Sequence, residues 1–520
     1  MTSEANPAGP PAASHHRRFA VNVAASFGSL AASVVVGFWY TPFLIHSLGL
    51  AVYGLVPLAN SITNYLTILT AAVCTTVARY ITVDLARNDV DNANRHFNTF
   101  LLVNVIMAAG LFVLAFGFSF FLPVFFHIPA GQEHVARLVF LGVVVAFLIS
   151  TIANPFQSSM WVTNRFEIRS LIEGSAVLVR AGLVLLTFHL WAPGLWQIAI
   201  IMPAVAFLIL IADMATCRVL VPSLRLSPSY LDAGKLPDLW NTGQWLLVSQ
   251  IGNLLFLNID LILVNILLGP IASATYAPFL QWVVLLRTVM SLIANTLSPP
   301  IVVRYARQDI EGLLRLSGQA AKFLGLILAL PAGLLIGFGK PMFGTWLGPQ
   351  FAQLAPLTWL LILPLAVEAS QYHLSAIVIA ANKLRLPALV QIAFGIGNVG
   401  LAVLLAGPFH WGIYGVAAAG AFSSLMRFGL FSPLYTASLV EQPWWTLSRH
   451  TGTALAACAA LAGAASLIAP FIRPGSWIRL GLGAAPVAIT YIGIVYFFAL
   501  NDEERLTLRK IVRSSLKLDA

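Results

Sequence analysis

Three arginines, Arg180, Arg287 and Arg427, stand inside long apolar runs, where each charge costs about 2.5 to 3.5 kcal/mol on insertion scales. Guanidinium stays ionised and offers a planar fork of donors, so arginines facing a watery cavity would bind an anion through phosphate or carboxylate oxygens. The structural alternative is that buried carboxylates neutralise them and lock helices together: Glu173 shares a helical face with Arg180, and Asp260 lies on the run before Arg287. Asp260 and Glu368 are themselves deep carboxylates. Either could exchange a proton or coordinate Na⁺, which gives one of them a coupling role. Polar residues also recur at helical spacing: Asn60 with Asn64, Gln250 and Asn253 with Asp260, and Gln371, Tyr372 and Ser375 with Glu368. A period of 3.6 gathers each set on one face, which lipid would not tolerate. These sets line a wet interior or make interhelical hydrogen bonds.

Other chemistries are excluded. The candidate external loops are short and gather no acidic or nucleophilic cluster, so no catalytic residue is assigned and the chain reads as a non-enzyme. The string Gly337 to Pro341 lacks the spacing and the Ser/Thr of a phosphate-binding loop. Cys74, Cys217 and Cys458 sit in or beside apolar segments, and His46, His127, His134, His189 and His410 show no ligand spacing. Neither a disulfide framework, a metal site nor a cofactor is expected.

The elements that must position these residues follow from composition. Of 520 residues, 59% are hydrophobic and 9% charged, with a mean hydropathy of +0.86, a balance that no water-soluble globule could bury. An all-α multi-pass membrane protein is expected. Apolar runs of about 20 residues predict about fourteen transmembrane helices. They divide the chain into a cytoplasmic tail (1–18), an N-terminal six-helix lobe (19–220), a cytoplasmic linker (221–240), a second six-helix lobe (241–437), two additional helices (438–500) and a basic cytoplasmic tail (501–520). The net charge of +10 is scattered between apolar runs, without the clustered face that nucleic acid requires. Of the 29 Lys and Arg, the three buried arginines fall within spans and only Arg137, Lys340, Arg473 and Arg479 lie on one side. The rest gather on the other, which is therefore cytoplasmic and holds both termini.

An internal repeat organises the spans. Residues 87–95 match residues 307–315, pairing Arg87, Asp89 and Arg95 with Arg307, Asp309 and Arg315, and Leu48-Gly49 recurs as Leu268-Gly269 at the same offset. Further pairs are Arg79-Tyr80 with Arg304-Tyr305, Pro123 with Pro341 and Asn164-Arg165 with Asn382-Lys383. An offset of six helices implies parallel repeats related by an axis along the membrane normal, with two bundles around a central cavity.

With Tyr40, Pro42, Phe43, Tyr53-Gly54, Ala78-Arg79-Tyr80, Asn94-Arg95 and Trp346-Leu347-Gly348, the chain resembles the polysaccharide-export family of oligosaccharide-lipid flippases. The resemblance implies the fold of the multidrug and oligosaccharidyl-lipid exporter superfamily, with two extra helices. It also implies a lipid-diphosphate-linked oligosaccharide cargo, a coupling cation (H⁺ or Na⁺), surrounding membrane lipids, and polysaccharide polymerase or export proteins as partners in a bacterial inner membrane. Residues 19–46 carry no Asp or Glu, unlike the first span of many cation-coupled drug exporters. The alternatives of the same fold are a multidrug or organic-cation exporter and a peptidoglycan-type lipid precursor flippase. Three buried arginines against two carboxylates favour an anionic cargo.

Overall fold

A computed structural model describes residues 12–66, 80–81, 84–85, 87, 89–128, 131–163, 165–236, 251–252, 255–256, 259–381, 383, 385–472, 474–500 and 505. Among these residues the fold is all helical, without strands. In chain order the helices are α1 (Ala12–Leu48), α2 (Leu50–Tyr53), α3 (Leu55–Asn64), α4 (Val90–Ser119), α5 (Leu122–Phe125), α6 (Glu133–Val162), α7 (Phe166–Leu190) and α8 (Leu195–Leu220). There follow α9 (Asp260–Leu268), α10 (Pro270–Ala306), α11 (Ile310–Gly337), α12 (Gly339–Trp346), α13 (Pro349–Ala352), α14 (Leu357–Gln371), α15 (Leu374–Ala380) and α16 (Arg385–Ala406). The last are α17 (Gly412–Ser424), a π-helical stretch Leu425–Phe431, α18 (Ser432–Leu439), α19 (Trp444–Ile468) and α20 (Trp477–Ile494).

Among the described residues, 11 helices are long and apolar enough to cross a membrane, or 12 if α14 and α15, bent by 44°, form one broken span. Two of the apolar runs counted as spans, residues 52–78 and 241–268, lie partly outside the described residues. Helix α1 begins at Ala12, inside the stretch expected to be a tail. Its 37 residues exceed what a bilayer core of roughly 30 Å requires.

The repeat is visible in local geometry. Gly49 and Gly269, both at positive φ (80° and 90°), break the chain at equivalent points, after α1 and after α9. A Cβ would make these conformations costly. Asp89 and Asp309 also act alike: each side chain accepts the backbone N–H three residues on, from Asn92 and Gly312, and so caps α4 and α11. The bonds from Asn92 hold the Asp89 carboxyl below its usual range.

Two compact units result, 1–277 and 278–520, so the division falls inside α10, downstream of the expected linker 221–240. Local contacts draw α9 and the start of α10 into the first unit. The His127 backbone N–H donates to Asn265 Oδ1 at 3.1 Å, and Gly54 lies so close to Ala274 that a Cβ would meet its Cβ at 2.8 Å. Within the first unit, α6 packs along α8 and α1 along α7. In the second, α11 packs along α19 and α14 along both.

The described part of the linker is held along α4 by side-chain amides. Asn94 Nδ2 donates to Ser223 O (3.0 Å) while Asn94 Oδ1 accepts from Arg225 N (2.6 Å). Asn98 repeats the pattern one turn on, with Arg225 O (2.8 Å) and Ser227 N (3.0 Å). The match is geometric: four helical residues rise about 6 Å and two extended ones about 6.6 Å, so i, i+4 amides meet alternate backbone units. Thr99 continues the series, accepting from Asp232 N at 3.0 Å. Replacing both Asn94 and Asn98 by Ala should free the amides of Arg225 and Ser227, and hydrogen exchange there should rise at least tenfold while α4 stays protected. Unchanged exchange would show that apolar contacts such as Leu224 hold the segment instead.

Candidate functional site

The buried charges of the second unit converge. Glu368 on α14 is 2% exposed and takes Arg287 of α10 in a two-point grip, with Nε donating to Oε1 at 3.0 Å and Nη2 to Oε2 at 3.0 Å. Sequence reasoning offers Asp260 as the structural partner of Arg287. The structure supplies Glu368 instead, so the residue expected to carry a coupling ion is the counter-ion of a residue expected to bind an anion. Fork-to-carboxylate pairing fixes both side chains and satisfies a carboxylate that would be expensive to bury alone.

Arg427 lies within electrostatic reach of Glu368, Arg287 and Tyr372. It projects from the π-helical stretch 425–431, with its guanidinium carbon 4.8 Å from the Phe428 ring centroid. Pro433 follows directly and cannot donate to the helical ladder, a local reason for the irregular turn. Tyr372 sits at the bend between α14 and α15. Glu368 thus pairs with Arg287 while Arg427 lies within electrostatic range, where a bent span meets a π-helical one.

Gln371 belongs elsewhere. It is 1% exposed, and its amide donates to Leu447 O (3.4 Å) and to Thr451 Oγ1 on α19. It ties helices together rather than lining an open polar face, because α19 covers the surface that the helical period identified.

In the first unit the expected residues stand apart. Arg180 on α7 is partly exposed, and its Nε, buried, makes no hydrogen bond. Its candidate partner Glu173 is taken by Arg169 at 2.8 Å. Tyr40 of α1 lies within electrostatic range of it. Asp260 accepts a hydrogen bond from the fully buried Tyr276 at 3.4 Å. Asn60 is exposed on α3. The Asn64 side chain, Gln250 and Asn253 lie outside the described residues.

One buried carboxylate escapes sequence reasoning altogether. Asp213 on α8, 2% exposed, accepts from Gln157 Nε2 of α6 at 2.9 Å, and Arg169 and Glu173 lie within electrostatic range. Its lone position in an apolar run was the available signal. A second buried pair, His96 Nδ1 to Asp84 Oδ2 at 2.5 Å, anchors the stretch before α4.

No family model matches the chain. Over 498 residues, however, it is 31% identical to the uncharacterized membrane protein EpsK of Bacillus subtilis (strain 168), covering 96% of this chain and 99% of that protein. The chain belongs to the EpsK family. Its fold is that of the MOP superfamily. An inward-facing multidrug resistance MATE family transporter superposes with a TM-score of 0.63 at 13% identity, covering 81% of this chain and 99% of the other. The lipid II flippase MurJ in an inward closed conformation gives a TM-score of 0.61 at 14% identity, covering 91% and 98%. The EpsK family thus shares one helical architecture with both, at identities that speak for fold alone.

Proposed function

We propose that the chain is an ion-gradient-driven flippase that moves polyprenyl-diphosphate-linked oligosaccharide repeat units from the cytoplasmic to the periplasmic leaflet of the bacterial inner membrane, for polysaccharide biosynthesis. The observation that carries this reading is the gathering of Arg287, Glu368 and Arg427 within the second unit. Ionisable residues at membrane depth mark substrate or ion pathways. Arg427 is the group that meets the diphosphate and Arg287 is oriented by Glu368 to assist, while Arg180 is assigned anion binding from its place in an apolar run. Asp260 is the carboxylate assigned to H⁺ or Na⁺ coupling, since Glu368 is held by Arg287. Tyr372, Asn60, Asn64, Gln250 and Asn253 are assigned polar lining roles from their helical spacing. The reading includes fourteen spans with both termini cytoplasmic. The likeness in fold to MurJ, a lipid II flippase, supports a lipid-borne cargo over a free solute. An organic-cation exporter should show the opposite charge balance.

The test is lipid-linked sugar accumulation in a strain lacking the gene, complemented with wild type, Arg427→Ala or empty vector. Empty vector should accumulate undecaprenyl-linked oligosaccharide, and Arg427→Ala at normal protein level should clear it at least tenfold more slowly, since charge-assisted bonds contribute about 1.5 to 3 kcal/mol. Accumulation of a peptidoglycan precursor instead would reassign the cargo. Intact surface polysaccharide with no accumulation would sink the lipid-cargo reading.

A further inference from the structure

Among the described residues two carboxylates are almost wholly buried, Glu368 and Asp213, each 2% exposed. They are partnered differently. Glu368 meets a guanidinium, which has donors only and so serves the charged carboxylate alone. Asp213, inside the span Leu195–Leu220, meets a neutral amide: Gln157 Nε2 donates to its Oδ2 at 2.9 Å. Arg169 on α7, within electrostatic range, bonds Glu173 instead at 2.8 Å. A charged carboxylate at membrane depth with one neutral partner lacks compensation for its lost hydration. A bound cation supplies it.

The surroundings select a proton over a metal ion. A metal cation needs a cage of several oxygens. Here Gln157 turns its N–H towards the carboxylate, while Ser158 and Ser159 spend their hydroxyls on Pro155 O (2.6 Å) and Phe156 O (2.8 Å) of their own helix. An amide, by contrast, suits a carboxyl in both of its states. Its N–H donates to the charged form, and its Oε1, after the amide turns over, accepts from the neutral acid. The other charged and titratable groups around the site are engaged or remote. Helix α7 brings Arg169 and Glu173, which pair with one another. Helix α8 brings the buried Cys217 one turn on and the exposed Arg218. Helix α4, whose Phe97 and Phe100 share an apolar cluster with Cys217, brings His96, held by Asp84. Helix α6 carries Glu133, His134 and Arg137 at its far end.

Helices α6 and α8 run parallel, from Gly142 against Ala199 to Gln157 against Asp213. The two contacts lie about 22 Å apart along α6. At the first the backbones touch, and at the second one polar bond joins the helices. We propose that Asp213 is a reversible proton-binding site of the first unit, with Gln157 as the group that serves both its charged and its neutral form. The charged form makes the stronger bond. Proton uptake therefore loosens the tie at one end of a helix pair whose other end is fixed by bare backbone. The site is separate from the Arg287–Glu368 pair, and it stands whether or not Asp260 couples an ion.

The test is infrared difference spectroscopy on the purified full chain in lipid nanodiscs, acidic minus alkaline, read in the C=O stretch region of buried carboxylic acids. Wild type should show a band there, and Asp213→Asn, close to isosteric, should lose it. Gln157→Leu, which leaves the acid without its amide, should keep the band and move it to higher frequency. Glu311→Gln, which removes an 89% exposed acid of the second unit, should leave the band as it is. Spectra that Asp213→Asn does not alter overturn the proposal, since Asp213 then holds one charge state throughout. Loss of the wild-type band when sodium replaces choline at fixed pH overturns it in favour of a metal-cation site. Should Asp213→Asn fail to fold, Gln157→Leu decides, because a band that it does not move belongs to another acid.

Discussion

Arg287→Ala should lower unfolding stability by about 3 to 5 kcal/mol, one of the largest effects open to a single side chain in the second unit. Glu368 is almost wholly buried and gives both oxygens to Arg287, so truncation strands a carboxylate with no route to water. Arg427, within range of the same carboxylate, recovers part of the loss, which points to the lower half of that interval. Adding Glu368→Gln to Arg287→Ala removes the stranded charge and should restore about half of the stability. The pair therefore gives a double-mutant cycle with a coupling of about 2 kcal/mol. Unfolding in detergent by titrated denaturant, read by far-UV circular dichroism, measures all four corners. If Arg287→Ala changes stability by less than about 0.5 kcal/mol, the two-point grip is not holding these helices together.

Gly142→Val should prevent the first unit from assembling. A Cβ at Gly142 would stand 2.2 Å from Ala199 O and 2.8 Å from Ala199 Cα, and all of these are backbone atoms of α8 that no rotamer change can move. Association of helices within lipid relies on close backbone approach rather than on a hydrophobic drive, so separating α6 from α8 forfeits the packing along their length. The expected cost is at least about 3 kcal/mol, at the upper end for overpacking. Gly110→Val on α4, with nothing within 4 Å of its hypothetical Cβ, is the control and should cost under about 1 kcal/mol. Yield of monodisperse protein after extraction, with its Tm, separates the two. Equal yields would mean that α8 shifts at little cost.

Much of this architecture is legible in the residues, and the exceptions have physical causes. Long apolar runs announce spans because lipid imposes a length. The offset repeat is readable because it rests on residues with local jobs, Gly49 and Gly269 at breaks and Asp89 and Asp309 at caps. Pairing across the chain is another matter. Arg287 and Glu368 are 81 residues apart, and no periodicity on α10 says which neighbour brings the carboxylate. Gln371 shows the same gap from the other side: its spacing groups it with Glu368, and only the fold reveals that its amide is tied to α19. The π-helical stretch around Arg427 has Pro433 as its only local hint, and a proline there reads equally well as a plain helix kink. Asp213 went unread because one acidic residue in an apolar run has no pattern, and Gln157 stands 56 residues away.

The seam between α11 and α19 bears on how the protein is made. Gly325, Gly333 and Gly337 are shaped to receive Ala454, Leu461 and Ala465, residues that leave the ribosome long after α11 has entered the membrane. Until then α11 has only α14, whose Ser370 meets Gly325, to cover part of the strip of bare backbone at these glycines. Any nascent chain that stops short of α19 carries that strip permanently. Membrane quality control thus has a physical mark by which to tell an unfinished copy from a complete one, and α19 is the strand of chain that erases it.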